Sequence, residues 1–256
     1  MNAISPNIES KPKKPDYSVI LPVYREEKIL EAILTKYSPE LQRKFNFELI
    51  VSDGGSNDKS VEIASKHTTK IAVHTEDRRQ TIAEGRNRGA ELAEGDVFIF
   101  INSDTYPADP ETFFQTVQNF DAEQKDTIAL SCRVRGFPEE EDCWDRIFYS
   151  IHNPLLHLGN LLNWGFGRGE CQVVRREAFE KVGGYNKFIR AGEDFDLYRR
   201  LVKIGKIRYS RDIFVYESTR RFKKYGYVKV LSWWIINALA VKFKGHAVSE
   251  DWEAVR

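Results

Sequence analysis

The sequence predicts an α/β protein whose sheet is mostly parallel and covered by helices on both faces. In the first half, apolar runs at 17–22, 47–53 and 96–102 alternate with segments of helical spacing. Each run is apolar almost throughout, as in strands that are buried on both faces. Alternation of such strands with helices favours parallel pairing. The 256 residues are enough for one large domain or two small ones.

The connecting segments of the first half predict its helices. Apolar residues three and four positions apart indicate helices over 28–37 and 81–94. Asp58 is predicted to be the N-cap of a further helix, because apolar residues with helical spacing follow it. A further short strand is predicted at 71–74.

The second half is less regular. Strands are expected at 127–135 and 170–174, with an acidic loop at 138–145 between them. Helical spacing predicts further helices over 110–120, 144–158, 176–182, 194–204 and 228–243.

Composition places the chain among folded globular proteins. Hydrophobic residues make up 41% and charged residues 30%, which allows a sizeable core and argues against disorder. Lys and Arg number 39 and Asp and Glu 38, so the net charge is only +1. This balance argues against a nucleic-acid partner.

The chain shows no targeting pattern of its own. The three cysteines lack CxxC spacing, which argues against a zinc ribbon or a disulfide framework and favours a reducing compartment. No stretch reaches the ~18 apolar residues that a membrane span needs. Residues 1–14 are polar and lack the apolar core of a signal peptide. We therefore expect a loose tail over 1–16 and a soluble, cytoplasmic protein.

Polar residues gather where the predicted strands end. Ligands of open parallel sheets bind beyond the carboxyl ends of the strands, so polar residues there are candidates for a site. They are Pro22, Tyr24, Glu26, Asp53, Arg86, Arg88, Asn102, Ser103 and Asp104. Asp also caps turns and helices, which is the alternative for Asp53 and Asp104. Several hydrogen-bond acceptors at one sheet edge favour the site.

Asp104 is the sharpest local signal. It follows the apolar residues 97–101 closely, so its carboxylate leaves a rigid buried strand. A single carboxylate of this kind suits Mg²⁺ or Mn²⁺, which keeps water ligands and takes further oxygens from a diphosphate. We therefore predict Asp104 as a ligand of a divalent cation.

Five motifs follow one another along the chain. They are VILPVYREE at 19–27, SDGGSND at 52–58, RNRGA at 86–90, INSD at 101–104 and GEDFDLYRRL at 192–201. In this order they resemble glycosyltransferase family 2, whose nucleotide-sugar enzymes have the Rossmann-like GT-A fold. The resemblance implies a GT-A domain over 17–219, with a nucleotide half at 17–104 and an acceptor half at 105–219.

The resemblance also implies how a donor is held. Segment 22–26 and Asp53 would bind the base and ribose of a nucleoside diphosphate sugar. Arg86 and Arg88 would contact sugar or phosphate, and a solvated helix face is the alternative for both.

The INSD motif departs from the family pattern at one position. Asp104 matches the last residue of the family's DxD motif, which binds the metal. Asn102 stands where the first Asp is usual. An amide can still hydrogen-bond to the ribose or sugar there, but the departure leaves metal dependence open.

Glu193 and Asp194 match the family's ED motif, which supplies the catalytic base. The chemistry needs one carboxylate beside the acceptor hydroxyl to take its proton as C1 is attacked. We assign Asp194 as the base and Glu193 as a ligand of sugar or acceptor, although the local order allows the reverse. The alternative is a pair of acidic residues that only begin the helix at 194–204.

A Gly-rich segment at 165–170 precedes the predicted strand at 170–174. It lacks GxGxxG spacing and does not lead from a strand into a helix, so it is not a dinucleotide loop. By the resemblance it would line the acceptor side, where its glycines permit close approach of a sugar. The residues concerned are Gly167, Arg168, Gly169 and Glu170.

The C-terminal segment 220–256 reads as a basic, aromatic helical extension. No Asp or Glu occurs between residues 218 and 249, whereas the basic residues there are Arg220, Arg221, Lys223, Lys224, Lys229, Lys242 and Lys244. This composition suits an amphipathic helix at an anionic membrane surface. A helix that packs on the core or forms a homodimer contact is the alternative. Arg220 and Arg221 could instead clamp a phosphate.

Together these features predict a hexosyltransferase. The donor is expected to be a UDP- or GDP-linked sugar, the acceptor a hydroxyl of a sugar or a lipid-linked molecule, and the reaction inverting and metal-dependent. One alternative is a sugar-nucleotide pyrophosphorylase, but 21–27 lacks the Gly-rich basic loop of such enzymes. The other is a non-catalytic scaffold or sugar-binding subunit, against which the full set of carboxylates counts.

Overall fold

One sheet runs through the protein. The computed structural model describes residues 13–123 and 126–249, so most of the predicted tail at 1–16 and the last seven residues of the extension lie outside the described residues. The strands are β1 Tyr17–Val23, β2 Phe47–Asp53, β3 Lys70–Val73, β4 Val97–Ile101, β5 Thr105–Pro107, β6 Thr127–Gly136, β7 Cys171–Arg175 and β8 Lys206–Glu217. Their order across the sheet is β3-β2-β1-β4-β7-β6-β8-β5.

The first half of the sheet is parallel, as predicted. Strand β1 pairs in parallel with β2 and β4, and β2 pairs in parallel with β3. Pro22 lies opposite Ser52, and Val23 lies opposite Asp53. The carboxyl ends of these strands therefore meet at one edge, and the polar residues that follow them are brought together.

The second half of the sheet is mixed. Strand β7 runs antiparallel to both β4 and β6, while β8 is parallel to β6 and antiparallel to β5. Because β7 is reversed, the residues that precede it lie beside the residues that follow β4. The backbone N–H of Asn102 accordingly donates to the carbonyl of Glu170 at 3.2 Å. The predicted α/β class is confirmed, with parallel pairing confined mainly to the first half.

Helices cover both faces of the sheet. They are α1 Leu30–Leu34, α2 Pro39–Phe45, α3 Ser60–Ala64, α4 Ile82–Leu92, α5 Pro110–Ala122, α6 Cys143–Leu161, α7 Arg176–Lys181, α8 Glu193–Leu201, α9 Arg220–Tyr225 and α10 Tyr227–Lys244. The predicted helix at 28–37 is wrong in its extent, because only α1 lies in it and α2 begins anew. The Oγ of Ser38 caps α2 by accepting from the Leu41 N–H at 3.2 Å. Strands β5 and β8 and helix α2 were not predicted, whereas α9 lies within the helical extension expected at 220–256.

The core has a layer on each face of the sheet. One layer contains Phe113 and Phe148, and it extends to Phe222 of α9 and Val230 of α10. The other layer contains Phe98. The start of the 220–256 segment therefore packs against the domain. Within 13–123 and 126–249, none of the helices combines the length and the apolar character that crossing a bilayer requires.

Candidate active site

A cavity of about 390 Å³ opens where β1, β2 and β4 end. It brings together most of the residues that the sequence singled out. Those that line it are Pro22, Tyr24, Glu26, Arg86, Asn102, Ser103, Asp104, Gly167, Arg168, Gly169, Glu170, Glu193, Asp194, Arg220 and Arg221. Residues from both halves of the domain and from the C-terminal segment thus share one site.

Arg86 links the two halves of the site. It projects from α4 and is only 1% exposed, which contradicts the solvated alternative. Its guanidinium donates to Oε1 of Glu193 at 2.8 Å, to Oδ1 of Asn102 at 3.0 Å and to the carbonyl of Gly169 at 2.7 Å. One buried cation therefore fixes the ED motif, the INSD motif and the Gly-rich segment relative to one another.

Asp194 has the properties of a general base. Burial, the neighbouring carboxylate of Glu193 and, more weakly, Glu170 raise its pKa from 3.8 to about 7, although Arg86 opposes the shift. It lies in the first turn of α8, where Gly192 at φ +82° begins the helix. A carboxyl group with a pKa near neutral pH exchanges protons most effectively.

Asp104 and Glu26 both form a salt bridge with Arg220. The guanidinium of Arg220 donates to Oδ2 of Asp104 at 3.0 Å and to Oε1 of Glu26 at 2.9 Å. The predicted phosphate clamp at Arg220 thus lies directly on the predicted metal ligand. Burial lowers the pKa of Arg220, but these two carboxylates outweigh burial and raise the pKa above its usual value.

The residues around Asp104 fit a divalent cation that binds together with a diphosphate. Among the described residues no group of three or more His, Cys, Asp or Glu side chains could hold a metal ion by itself. Mg²⁺ and Mn²⁺ need only one or two protein carboxylates when phosphate oxygens and water complete the shell. Asp104 supplies such a carboxylate, with its side chain 26% exposed.

Asp53 lies behind the cavity wall at the end of β2. It is fully buried, and its Oδ2 accepts from the N–H groups of Gly55 and Ser56 at 2.9 Å each. Its Oδ1 has no partner in the described part of the chain. Arg88, by contrast, is not brought into the cavity, since its guanidinium donates to the carbonyl of Val73 at 3.3 Å.

A buried charge network lies beside the predicted acceptor segment. Arg168 is 3% exposed, and its guanidinium contacts Glu170 at 3.1 Å and Glu217 at 3.4 Å. Tyr149 donates to Glu217 at 2.8 Å. Burial raises the pKa of Glu170, but the positive charge of Arg168 outweighs this effect and lowers it. Burial and the charge of Glu170 raise the pKa of Glu217 well above its usual range. With one proton on Glu217, the net charge of Arg168, Glu170 and Glu217 would be zero.

Sequence reasoning missed several lining residues. They are His152 and Leu156 of α6, Glu217 of β8 and Leu231, Trp234, Ile235 and Ala238 of α10, among others. No local motif marks them, because they reach the cavity through helix packing and through the unpredicted strand β8. Their arrangement adds an apolar arm between α6 and α10 to an otherwise polar site.

A family model described as "Glycosyl transferase family 2" matches residues 18–183. The chain belongs to glycosyltransferase family 2. The resemblance read from the motifs is thereby confirmed. A curated relative, the succinoglycan biosynthesis protein ExoA of Rhizobium meliloti, is 27% identical over 199 residues. That match covers 73% of this chain and 58% of ExoA, so this family 2 chain spans less than two thirds of the relative's length.

Solved structures confirm the GT-A fold of this family 2 chain. The mannosyltransferase PcManGT of Pyrobaculum calidifontis, in complex with GDP-Man and Mn²⁺, has a TM-score of 0.69 at 18% identity, covering 94% of this chain and 66% of that one. Glucosyl-3-phosphoglycerate synthase of Mycobacterium tuberculosis, with Mn²⁺, UDP and phosphoglyceric acid, has a TM-score of 0.60 at 18% identity, covering 90% and 78%. At these identities the likeness concerns the fold.

Proposed function

We infer that the protein transfers a hexosyl group from a nucleoside diphosphate sugar to an acceptor hydroxyl, with inversion at C1. The observation that carries this proposal is that Asp104 and Asp194 line one cavity. One carboxylate suits the diphosphate end of a donor, and the other suits the proton of an acceptor. Family membership and the fold support the same reaction.

The donor would lie along the edge formed by β1, β2 and β4. The ring of Tyr24, which lines the cavity, is suited to a base. Asp53 would support the nucleotide from behind the cavity wall, by fixing the N–H groups of Gly55 and Ser56. Two guanidinium groups lie near the Tyr24 ring, that of Arg25 at 5.0 Å and that of Arg79 at 4.8 Å from the ring centroid. These cations would offset the negative charge of a nucleotide. UDP- and GDP-linked sugars are both donor candidates.

In the transfer step, the acceptor oxygen forms a bond to C1 of the sugar as the bond between C1 and the diphosphate oxygen breaks. The acceptor's proton passes to the carboxylate of Asp194, and the electron pair of the broken bond leaves with the diphosphate. Arg86 would keep the carboxylate of Glu193 oriented beside this base, where Glu193 can hold hydroxyls of sugar or acceptor.

Asp104 would hold Mg²⁺ or Mn²⁺, which when bound offsets charge on the leaving diphosphate. Arg220 contacts the same carboxylate, so its guanidinium is placed to pair with a phosphate oxygen once the cation binds. Arg221 lines the same part of the cavity. The segment from Gly167 to Glu170 would face the acceptor, which is a sugar or a lipid-linked molecule.

A panel of nucleoside diphosphate sugars with Mn²⁺ tests the proposal by thermal shift and by release of nucleoside diphosphate. A donor at ~100 times its Kd should stabilise the protein by about 2.7 kcal/mol. Slow release of nucleoside diphosphate from the same donor would distinguish an enzyme from a sugar-binding scaffold. A protein that binds no donor of the panel, or that binds one and releases no diphosphate with any acceptor, would contradict the proposed function.

A further inference from the structure

Helix α6 has an apolar outer side in addition to the side that packs on the core. Its exposed apolar residues, with the two that follow it, are Trp144, Ile147, Ile151, Leu155, Leu158, Leu161, Leu162 and Trp164. At about 100° per residue, Trp144, Ile151 and Leu155 fall within about 40° of one another around the helix. The buried side carries Phe148 and Tyr149 of the core, and also the polar residues Asp145 and Asn153. A helix that served only the core would have polar residues on its outer side instead of a second apolar side.

Helix α10 repeats this feature beside α6. Its exposed apolar residues are Val228, Ile235, Ile236, Leu239 and Phe243. The two helices contact each other through their inner faces, since the ring of Trp234 lies 6.4 Å from that of Phe148 and 5.6 Å from that of His152. Their outer residues therefore form one patch, here termed the α6–α10 surface. A patch of this extent on a globular protein indicates a binding surface.

Charge indicates what the α6–α10 surface binds. No Asp or Glu occurs between residues 146 and 169 or between 218 and 249, although the chain has 38 acidic residues. Lys229 and Lys242 flank the apolar side of α10, and Nζ of Lys242 lies 5.4 Å from the ring centroid of Phe243. Apolar side chains framed by lysines and tryptophans match the boundary between acyl chains and anionic headgroups.

The cavity opens onto the same surface. Ile235 lines the cavity and is still 57% exposed. Leu156, Leu231 and Trp234 continue its apolar lining inward, towards the polar residues of the site. A second copy of the chain seated on the α6–α10 surface would cover this side of the cavity, whereas a lipid layer there would supply molecules to it.

We propose that the α6–α10 surface rests on an anionic lipid layer, and that the apolar arm of the cavity receives the hydrocarbon part of a lipid-linked acceptor. The contact with lipid is inferred from the exposed apolar residues and the charges around them, and it does not depend on the proposed function. The identity of the acceptor rests, in addition, on the proposed glycosyl transfer.

Sedimentation with vesicles tests the lipid contact. Wild type is expected to sediment with phosphatidylcholine vesicles that contain phosphatidylglycerol, and less at high salt because the Debye length falls from ~10 Å at 0.1 M to ~3 Å at 1 M. An Ile151→Glu/Leu155→Glu variant should lose about a hundredfold in partition coefficient, since two apolar contacts are removed. The matched control is Val73→Glu/Leu92→Glu, which changes two exposed apolar residues of β3 and α4 and should bind as wild type does.

Donor binding by thermal shift, measured on the same three proteins without vesicles, should be equal. It separates the two proposals, because vesicle binding can fail while donor binding and diphosphate release persist. Wild type that stays in the supernatant, or an Ile151→Glu/Leu155→Glu variant that sediments as wild type does, would overturn the lipid contact. A wild-type dimer that this variant converts to a monomer, without vesicle binding by wild type, would instead assign the surface to a second copy. If lipid binds but lipid-linked and water-soluble acceptors are used equally well, the acceptor part is wrong.

Discussion

Nη1 of Arg86 lies 2.8 Å from Oε1 of Glu193, across 107 positions of sequence. The pair is almost fully buried, with side-chain exposures of 1% and 9%. A buried ion pair is costly to form unless hydrogen bonds satisfy its remaining groups, and removal of one partner leaves an uncompensated charge. Arg86 meets this condition in part: Nη2 also donates to Asn102 and Gly169, whereas Nε has no partner among the described residues. The INSD and ED motifs of the site therefore depend on one side chain.

Arg86→Lys should lower kcat with a smaller effect on donor affinity. Lysine keeps the positive charge but cannot reproduce the planar fork that serves Glu193, Asn102 and Gly169 together. We expect a loss of about 10²-fold in kcat, as for misplaced catalytic groups. Steady-state kinetics and a donor-binding titration measure the two effects separately.

Arg88→Lys is the matched control for this change. It lies two positions further along α4, and within residues 13–123 and 126–249 its guanidinium donates to a backbone carbonyl outside the cavity. Activity close to wild type is expected. Equal losses in the two variants would show that α4 is merely destabilised and that Arg86 has no special position.

Asp194→Asn should reduce turnover by ~10²–10⁴-fold, the usual range for general-base catalysis, while donor affinity barely changes. In wild type the base must be ionised, so activity should rise with pH through about 7, the pKa to which burial and Glu193 raise Asp194. A pH–rate profile measures this limb, which the variant should lack. Normal turnover by the variant would move the role of base to Glu193.

The same variant should be more stable than wild type at neutral and higher pH. The pKa of Asp194 is raised on folding, so the unfolded chain loses this proton at lower pH than the folded protein does. Ionisation of Asp194 therefore destabilises the fold increasingly between about pH 4 and 7, and the cost is absent at lower pH. Thermal unfolding of both proteins across this pH range should show a gain for Asp194→Asn that grows with pH and then levels off. A gain that is constant with pH would contradict the raised pKa.

Asp104→Ala should abolish the part of donor binding that depends on a divalent cation. The residue follows a strand end and is partly exposed, so the fold should persist. Calorimetric titration of nucleoside diphosphate with and without Mn²⁺ provides the measurement. Asp126→Ala, which removes an exposed carboxylate paired with Lys206, serves as the control. Binding of donor and Mn²⁺ by Asp104→Ala as tightly as by wild type would exclude Asp104 as the ligand.

The parallel half of the fold was predictable because its strands are buried on both faces. Runs such as 97–101 have no polar residue, and only a central strand accounts for that. Strand β8, KIRYSRDIFVYE, was missed because charged residues interrupt it and because its pairing with β6 shifts register twice. Neither feature produces the regular alternation by which a strand is predicted.

The site was predictable in its parts and not in its connections. The motifs predicted Asp104 and Arg86 at a sheet edge and Glu193 beside the start of a helix, but the sequence contains no sign that Arg220 would bond a carboxylate 116 positions away. The orientation of α6 was equally hidden. Helical spacing indicates an apolar side, yet only the packed structure shows that α6 buries Phe148 and Asp145 and exposes a second apolar side.

Gly169→Ala should impair the base without unfolding the protein. A Cβ at this position would lie 3.3 Å from Oδ2 of Asp194 and 3.5 Å from Nη2 of Arg86. The first distance is close, so the carboxylate must give way by a few tenths of an ångström, and catalytic groups tolerate such shifts poorly. We expect kcat to fall by about tenfold or more while donor affinity and thermal stability stay near wild type. In the double variant with Asp194→Asn, the methyl group should cost almost nothing further, because residues in contact are not additive. Kinetic constants of the wild type, the two single variants and the double variant complete the cycle. Fully additive losses would mean that the Gly169 methyl acts on the acceptor directly and not through Asp194.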